Sequence, residues 1–353
     1  MRPSFHPVVV NDPFGDPVVY VDCLFERRAI LLDLGRMDAL GARKLNRVTH
    51  AFVSHAHMDH FAGFDHVLRL SLHRREPLRL WGPPGFVERV EHKLSAYTWN
   101  LAPDYPTDFT VLVTEVDAGA TTRAARFRCQ TGFQRESLGP APAPGGVLVD
   151  GETFRVRAAL VDHRTPCLAF ALEERAHVNV WRTRLAELGL RPGPWLTELK
   201  RLVVTGARDD ATVRVAWAQA GPARERDVPL AALRQAVSVT RGQKIGYVVD
   251  VRHTEDNVRR IVELVRDADI LFIETPFLAS DAGMAAHKAH LTARQAGLLA
   301  RAAAVRRVCP LHFSPRYAGA GERLEREAQD AFQGAPAPQV GHERLERESG
   351  PAP

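Results

Sequence analysis

The chain has 353 residues, 45% apolar and 25% charged, with a formal net charge of +5. This is the balance of an ordinary soluble globular protein, long enough for one large domain or two moderate ones. No apolar run approaches the roughly 20 residues needed to span a bilayer, and the start Met1-Arg2-Pro3-Ser4-Phe5-His6-Pro7 has no apolar signal core, so a cytoplasmic protein without membrane contact is expected. The mild positive charge is compatible with a polyanionic substrate but does not single one out.

Taken in chain order, the first 120 residues are rich in short β-type runs. Val8-Val9-Val10, Val18-Val19-Tyr20-Val21 and Ala29-Ile30-Leu31-Leu32 are separated by Asp/Gly/Pro turns, and Thr49 to Val53 reads as a buried strand. Ser54-His55-Ala56-His57-Met58-Asp59-His60 follows directly. Here His55, His57, Asp59 and His60 form the pattern H-x-H-x-D-H, whose imidazole and carboxylate groups suit zinc and, less well, manganese or iron. A loop leaving a strand and entering a helix is a place where a rigid scaffold can aim such groups. Helical patterns follow near 61–73 and 84–96, then strand-like runs at 109–116, 123–130, 153–161 and 167–172. The run Gly139-Pro140-Ala141-Pro142-Ala143-Pro144-Gly145-Gly146 reads as a breaker-rich loop.

The second half repeats the style. Ile245 to Asp250 is a buried strand ending in an acid, 254–266 has helical periodicity, Ile270 to Ile273 is a strand, 292–304 an Ala/Leu-rich helix, and Val308 to Leu311 a strand leading into His312. From Gly334 the tail is rich in Pro, Ala, Glu and Arg and is expected to be disordered. Cys23, Cys129, Cys167 and Cys309 are widely spaced without a C-x-x-C pair, so they read as small buried residues in a reducing compartment.

A dinuclear hydrolytic site needs more ligands than the first motif supplies. Three candidates fall at strand ends: His163 after Phe154 to Asp162, Asp250, whose carboxylate is a natural bridge between two cations, and His312. Asp33, after Ile30-Leu31-Leu32, reads as an outer carboxylate that orients a metal-bound imidazole, or as a turn residue, and not as a ligand. His66, His73, His92, His177 and His253 read as ordinary histidines.

H-x-H-x-D-H followed by distant His, Asp and His resembles the ligand order of the metallo-β-lactamase fold, and further segments resemble its ribonuclease Z branch. Val161-Asp162-His163-Arg164-Thr165-Pro166 is similar to the third ligand segment of that branch. Leu185 to Lys200 resembles the segment carrying its Gly-Pro element, Ala289-His290-Leu291-Thr292-Ala293 its G-H-S-T-A helix start, and His312-Phe313-Ser314-Pro315-Arg316-Tyr317 its H-x-S-x-R-Y ending. The match runs from about residue 47 to 317. Departures are present too. The P-x-K-x-R-N loop that helps the family read the tRNA end is not recognisable in residues 1–45. Val251 stands where a Thr follows the bridging Asp, Ile273 replaces the His of an H-E-A-T element while Glu274 remains, and Leu168-Ala169-Phe170 replaces a Phe-Gly-Tyr-like run.

The resemblance implies an α/β (α+β) fold, the four-layer αββα sandwich, as a single domain over 1–333 with a disordered tail over 334–353. A substrate-docking arm is expected within about 173–201; that segment has a net charge near +2, which a solvated helical face would explain equally well, and an arm would address backbone phosphates. The implied function is a metal-dependent endoribonuclease removing the 3′ trailer of pre-tRNA through a zinc-bridging hydroxide. Two Zn2+ per chain are implied, with Mn2+ or Fe also suited to the donors. One ion would be held by His55, His57 and His163, the other by Asp59, His60 and His312, with Asp250 bridging. His290 would protonate the leaving 3′ oxygen with support from Glu274, and Asp59 is counted among the catalytic groups as well as the ligands. A homodimer is expected by the same resemblance. Two other readings stand beside it: a phosphodiesterase or other ester hydrolase of the same fold acting on small substrates, and an RNA-binding protein without catalysis.

Overall fold

β-Branched and aromatic runs separated by Asp, Gly and Pro turns give the chain its strands. The structure is a computed structural model that describes residues 4–24, 26, 28–117, 121–217 and 224–334. The tail beyond Gly334 lies outside the described residues.

Eight strands form the first sheet in sequence order: β1 (Phe5–Val9), β2 (Val19–Cys23), β3 (Arg28–Leu32), β4 (Val48–Phe52), β5 (Leu78–Gly82), β6 (Thr110–Val116), β7 (Thr121–Arg128) and β8 (Arg135–Pro142). The β3 to β6 pairings are parallel and the others antiparallel. The chain then makes β9 (Val147–Asp150), β10 (Phe154–Asp162) and β11 (Pro166–Glu174). It leaves for an insertion holding β12 (Ala176–Val180), β13 (Thr212–Trp217), β14 (Arg224–Pro229) and β15 (Val237–Arg241), and returns with β16 (Lys244–Val248), β17 (Ile270–Glu274) and β18 (Val308–Leu311). The second sheet has the order β18-β17-β16-β11-β10-β9.

Alternation along the strands builds the layers. In β3, Ala29 and Leu31 pack outward with Phe64, Val67, Phe86 and Val90 of the covering helices Phe64–Ser71 and Phe86–Ser95. Ile30 and Leu32 point the other way, into an inter-sheet layer shared with Phe52, Trp81, Phe154, Leu168, Phe170, Tyr247 and Phe272. On the far side of the second sheet, Ala169, Ala171, Leu271 and Ile273 meet Ile261, Leu264 and Leu299 of the helices Glu255–Val265 and Ala293–Ala302. The order is helix, sheet, sheet, helix, which is the expected αββα sandwich. Each fully buried Phe or Leu of these layers contributes about 1.5–3 kcal/mol of transfer free energy.

Two departures from the local reading are informative. Gly139 to Pro142 belong to β8, with Gly139 in the left-handed region, so the breaker-rich loop shrinks to the turn before β9. Every residue of β8 is exposed and the strand lies at the sheet edge, where proline costs no ladder hydrogen bond. The insertion spans 176–241, well past the expected 173–201 segment, and has its own core of Val178, Leu185, Trp195, Leu199, Val213, Leu230 and Leu233. No helix among the described residues is long and apolar enough to cross a membrane.

Candidate metal centre

Strand ends deliver the polar side chains to one edge of the sandwich. His55 follows β4 by three residues, His57 is the N-cap of the short helix Met58–Phe61, and that turn carries Asp59 and His60. The turn is held by close backbone contact. A Cβ on Gly63 would lie 2.1 Å from the Gly35 carbonyl oxygen, and one on Gly35 would lie 2.4 Å from that of Asp59, so neither position accepts a side chain without moving the turn. His163 lies in the β10–β11 hairpin, Asp250 two residues beyond β16, and His312 directly after β18. Asp33, Asp250 and His312 all have left-handed backbones, with φ of 59°, 52° and 60°. Such conformations cost about 1 kcal/mol or more each and cluster at functional sites.

Asp250 is the hub. Its Oδ2 lies 3.2 Å from His163 Nε2 and 3.5 Å from His55 Nε2. Its Oδ1 lies 2.9 Å from His312 Nδ1 and 3.4 Å from His60 Nε2. Asp59 Oδ2 closes the second group at 3.3 Å from both His60 Nε2 and His312 Nε2. His57 joins the first, its ring centroid 4.2 Å from that of His55 and 5.5 Å from that of His163. All seven expected ligands are thus brought together, in two groups that meet at the two oxygens of one carboxylate. His55, His60, His163 and Asp250 are buried, while His57 is exposed and Asp59 and His312 half-buried, so the open side passes over these three.

A second tier of groups orients the first. His163 Nδ1 donates to the Ala289 carbonyl at 2.8 Å, which leaves Nε2 to face Asp250. His60 Nδ1 donates to Asp33 Oδ2 at 2.8 Å, and that fully buried carboxylate also accepts from Ser54 N, Ser54 Oγ and Tyr247 Oη. Asp33 thus makes the contact with His60 that an outer carboxylate would make. Burial and the neighbouring His60 hold His55 down to about 2, a neutral ring with a lone pair to give. Ser54, Tyr247 and Cys167, whose Sγ is 3.9 Å from His55 Nδ1, were not foreseen. Each reads locally as a core or turn residue, and only the tertiary packing brings it to the site.

Glu274, also fully buried, accepts from the backbone of Asp250, Val251 and Leu291 and from His290 Nδ1 at 2.8 Å. Burial favours its neutral form, but His290 and its other partners hold the carboxyl down to about 2. The same pairing acts on His290: burial disfavours the imidazolium, and the Glu274 carboxylate overrides it, holding the ring above its ordinary value. His290 precedes by two residues the Thr292 capping box that starts the helix Ala293–Ala302, which fixes its backbone. Its ring centroid is 4.8 Å from that of His163 and 5.7 Å from that of His312.

His55 Nε2, His60 Nε2, Asp250 Oδ1 and His312 Nδ1 are buried without a well-formed hydrogen bond. One such atom costs about 1–3 kcal/mol. Four of them around the Asp250 carboxylate, within groups of imidazole nitrogens and carboxylate oxygens, fit divalent cations.

Comparison with known proteins agrees with this geometry. Residues 18–186 and 194–313 match the sequence family described as a beta-lactamase superfamily domain. A ribonuclease Z from Deinococcus radiodurans is 33% identical over 335 residues, covering 93% of this chain and 96% of that protein. One from Treponema pallidum is 28% identical over 315 residues, 87% of this chain and 84% of that protein. Among solved structures, the metallo-beta-lactamase fold protein YhfI from Bacillus subtilis superposes with a TM-score of 0.50 over 93% of this chain and 94% of that one, at 15% identity, a likeness that speaks for the fold alone.

Proposed function

This chain belongs to the beta-lactamase superfamily and, within it, to the ribonuclease Z family, and on that premise we propose that it is a metal-dependent endoribonuclease that removes the 3′ trailer of pre-tRNA. The observation that carries the reading is the division of Asp250 between two ligand groups, Oδ2 toward His55 and His163, Oδ1 toward His60 and His312. His55, His57 and His163 would hold one ion and Asp59, His60 and His312 the other, with Asp250 shared. Two zinc ions suit these donors, as would manganese or iron. When bound, the ions supply Lewis-acid charge for the phosphoryl oxygens and lower the pKa of water.

The chain's own residues do the rest. His290 keeps Nδ1 on Glu274, so Nε2 is the nitrogen that can carry a proton to the departing 3′ oxygen. Glu274 holds that ring and, through their amides, the turn of Asp250 and Val251, so the proton donor and the shared carboxylate move as one unit. Docking falls to the insertion 176–241. Trp181 is 51% exposed with the Arg184 guanidinium 5.8 Å from its ring centroid, a pair suited to a base face and a phosphate. Trp181→Ala should weaken pre-tRNA cleavage through KM and leave hydrolysis of bis(p-nitrophenyl) phosphate intact; equal loss of both activities would make the insertion structural. A homodimer in the cytoplasm completes the proposal, and light scattering on purified protein tests the assembly.

The deciding experiment maps the 3′ end left on a pre-tRNA transcript by purified protein, beside an assay on bis(p-nitrophenyl) phosphate. A defined 3′ end supports the ribonuclease reading. Hydrolysis of the small diester alone supports a small-substrate phosphodiesterase, which the unrecognised P-x-K-x-R-N loop in residues 1–45 favours. RNA binding with neither reaction would leave a binding protein.

A further inference from the structure

We propose that the end of the inter-sheet layer opposite the metal centre is a second ligand site, which takes a small amphipathic monoanion, a carboxylate on an apolar ring or chain, with Arg79 as its anchor. A cavity of about 780 Å3 opens there, at the starts of β3, β4, β5 and β10, closed by the helix Leu196–Val204 of the insertion. The metal ligands follow the opposite ends of β4 and β10.

The inner faces of three neighbouring strands change character at this end. Ile30, Phe52 and Trp81 belong to the apolar inter-sheet layer, and two residues earlier on the same faces come Arg28, His50 and Arg79. His50 and Arg79 are register partners on parallel β4 and β5. Arg28 is occupied: it pairs with Glu26 and lies 5.3 Å from the ring centroid of Phe154. His50 is occupied as well, stacked on Trp81 at 5.5 Å and edge-on to Phe154 at 5.6 Å, and burial with Arg79 and Arg28 nearby keeps it neutral. At the rim, Glu174 accepts from Ser4 and Gln243, and Arg201 pairs with Glu198. Arg79 is half-buried, and its guanidinium makes no hydrogen bond or ion pair among the described residues.

Glu152 faces Arg201 at 3.7 Å and Glu76 is exposed at the rim, so Arg79 is the cation of this lining that lacks a partner among the described residues, and a guanidinium aimed into a largely apolar layer asks for an anion. Its planar fork pairs a carboxylate through two parallel hydrogen bonds. A single free guanidinium in a lining that also carries Glu26, Glu76, Glu152 and Glu174 suits a monoanion better than a phosphate dianion. Phe5 and Phe154 on one wall and Val178 and Val204 on the other suit an apolar body, and the volume lies in the range of sites for small organic ligands. Because Val178 and Val204 belong to the insertion, the ligand would tie it to the sandwich.

The test uses the zinc-loaded full chain and 1-anilinonaphthalene-8-sulfonate, an aromatic monoanion, followed by fluorescence. Saturable binding is expected, displaced by decanoate, much less by decanol and not by inorganic phosphate. Arg79→Leu should weaken probe and decanoate at least tenfold, Arg79→Lys should recover part of that loss, and Val204→Trp should abolish binding by filling the cavity. Thermal unfolding checks each variant, and should Arg79→Leu fail to fold, Val204→Trp decides. No saturable binding, displacement by phosphate, equal displacement by decanol, or wild-type affinity in folded Arg79→Leu or Val204→Trp each overturns the proposal.

Discussion

Tyr247→Phe is the sharpest perturbation of the metal centre, because it removes one oxygen atom and touches no proposed ligand. Tyr247 is fully buried, and its hydroxyl donates to Asp33 Oδ2 at 2.7 Å. The same oxygen accepts from His60 Nδ1 at 2.8 Å and Ser54 Oγ at 2.8 Å. A hydrogen bond to a charged acceptor contributes about 1.5–3 kcal/mol, and at about 1.4 kcal/mol per decade that is roughly ten- to a hundredfold in an equilibrium constant. The loss divides. The Asp33 network exists without metal, so part should appear as lower stability of the metal-free chain in urea. The remainder should appear as weaker metal binding, because the carboxylate that holds His60 with Nε2 toward Asp59 and Asp250 is less firmly placed. Competition against a chromogenic chelator measures the second part, and outer-shell changes of this kind typically cost 10–100-fold in affinity. A variant with chelator affinity within twofold of wild type and urea stability within about 0.3 kcal/mol would refute the idea that Tyr247 supports His60 through Asp33.

Elemental analysis of zinc-reconstituted protein should give two ions per chain, and Asp250→Asn should drop that count and pre-tRNA cleavage together, since both ligand groups meet on its carboxylate; full metal content in the variant would remove Asp250 from the ligands. His290→Ala should keep both ions and slow RNA cleavage by roughly 10²–10⁴-fold, with a smaller defect on a p-nitrophenyl ester, whose phenolate leaves without an acid; equal defects would point to phosphate positioning instead. His50 supplies a pH test away from the metals. Burial, with Arg79 and Arg28 nearby, lowers it from 6.5 to about 3, so the unfolded chain binds the proton first and stability falls as pH drops below 6.5, levelling off near 3. Between pH 7 and pH 5 this one group should cost about 2 kcal/mol, a loss that His50→Phe should lack in urea unfolding; the same pH slope in both proteins would count against a neutral buried imidazole.

How much of this was legible depends on how far apart the cooperating residues lie. The four groups of H-x-H-x-D-H lie within six positions, and a strand followed by a short helical turn presents them together, so local pattern was enough. His163, Asp250 and His312 could be read because strand ends in a layered sheet share an edge. Asp33, after an apolar run, could be placed as an outer carboxylate for the same reason. Tyr247 could not, since its hydroxyl meets Asp33 from the opposite sheet and its sequence context is that of any core aromatic. Nor could the extent of the insertion, where Trp195 packs with Val213, Leu230 and Leu233 from a strand and a helix many residues on. The unmatched Arg79 is likewise a matter of register: residue 79 meets residue 50 only once β4 and β5 are aligned.

The site also explains where this fold tolerates unfavourable local structure. Left-handed φ values at Asp33, Asp250 and His312 oppose folding by about 1 kcal/mol or more each. None of these residues is in the apolar layers, which are dense enough to hold the edge in place. Glu274 shows how the load is carried: one buried carboxylate accepts the amides of Asp250 and Val251 on one side and of Leu291 with the ring of His290 on the other. The turn that bears the shared ligand and the residue proposed to move the proton are therefore anchored on the same two oxygen atoms.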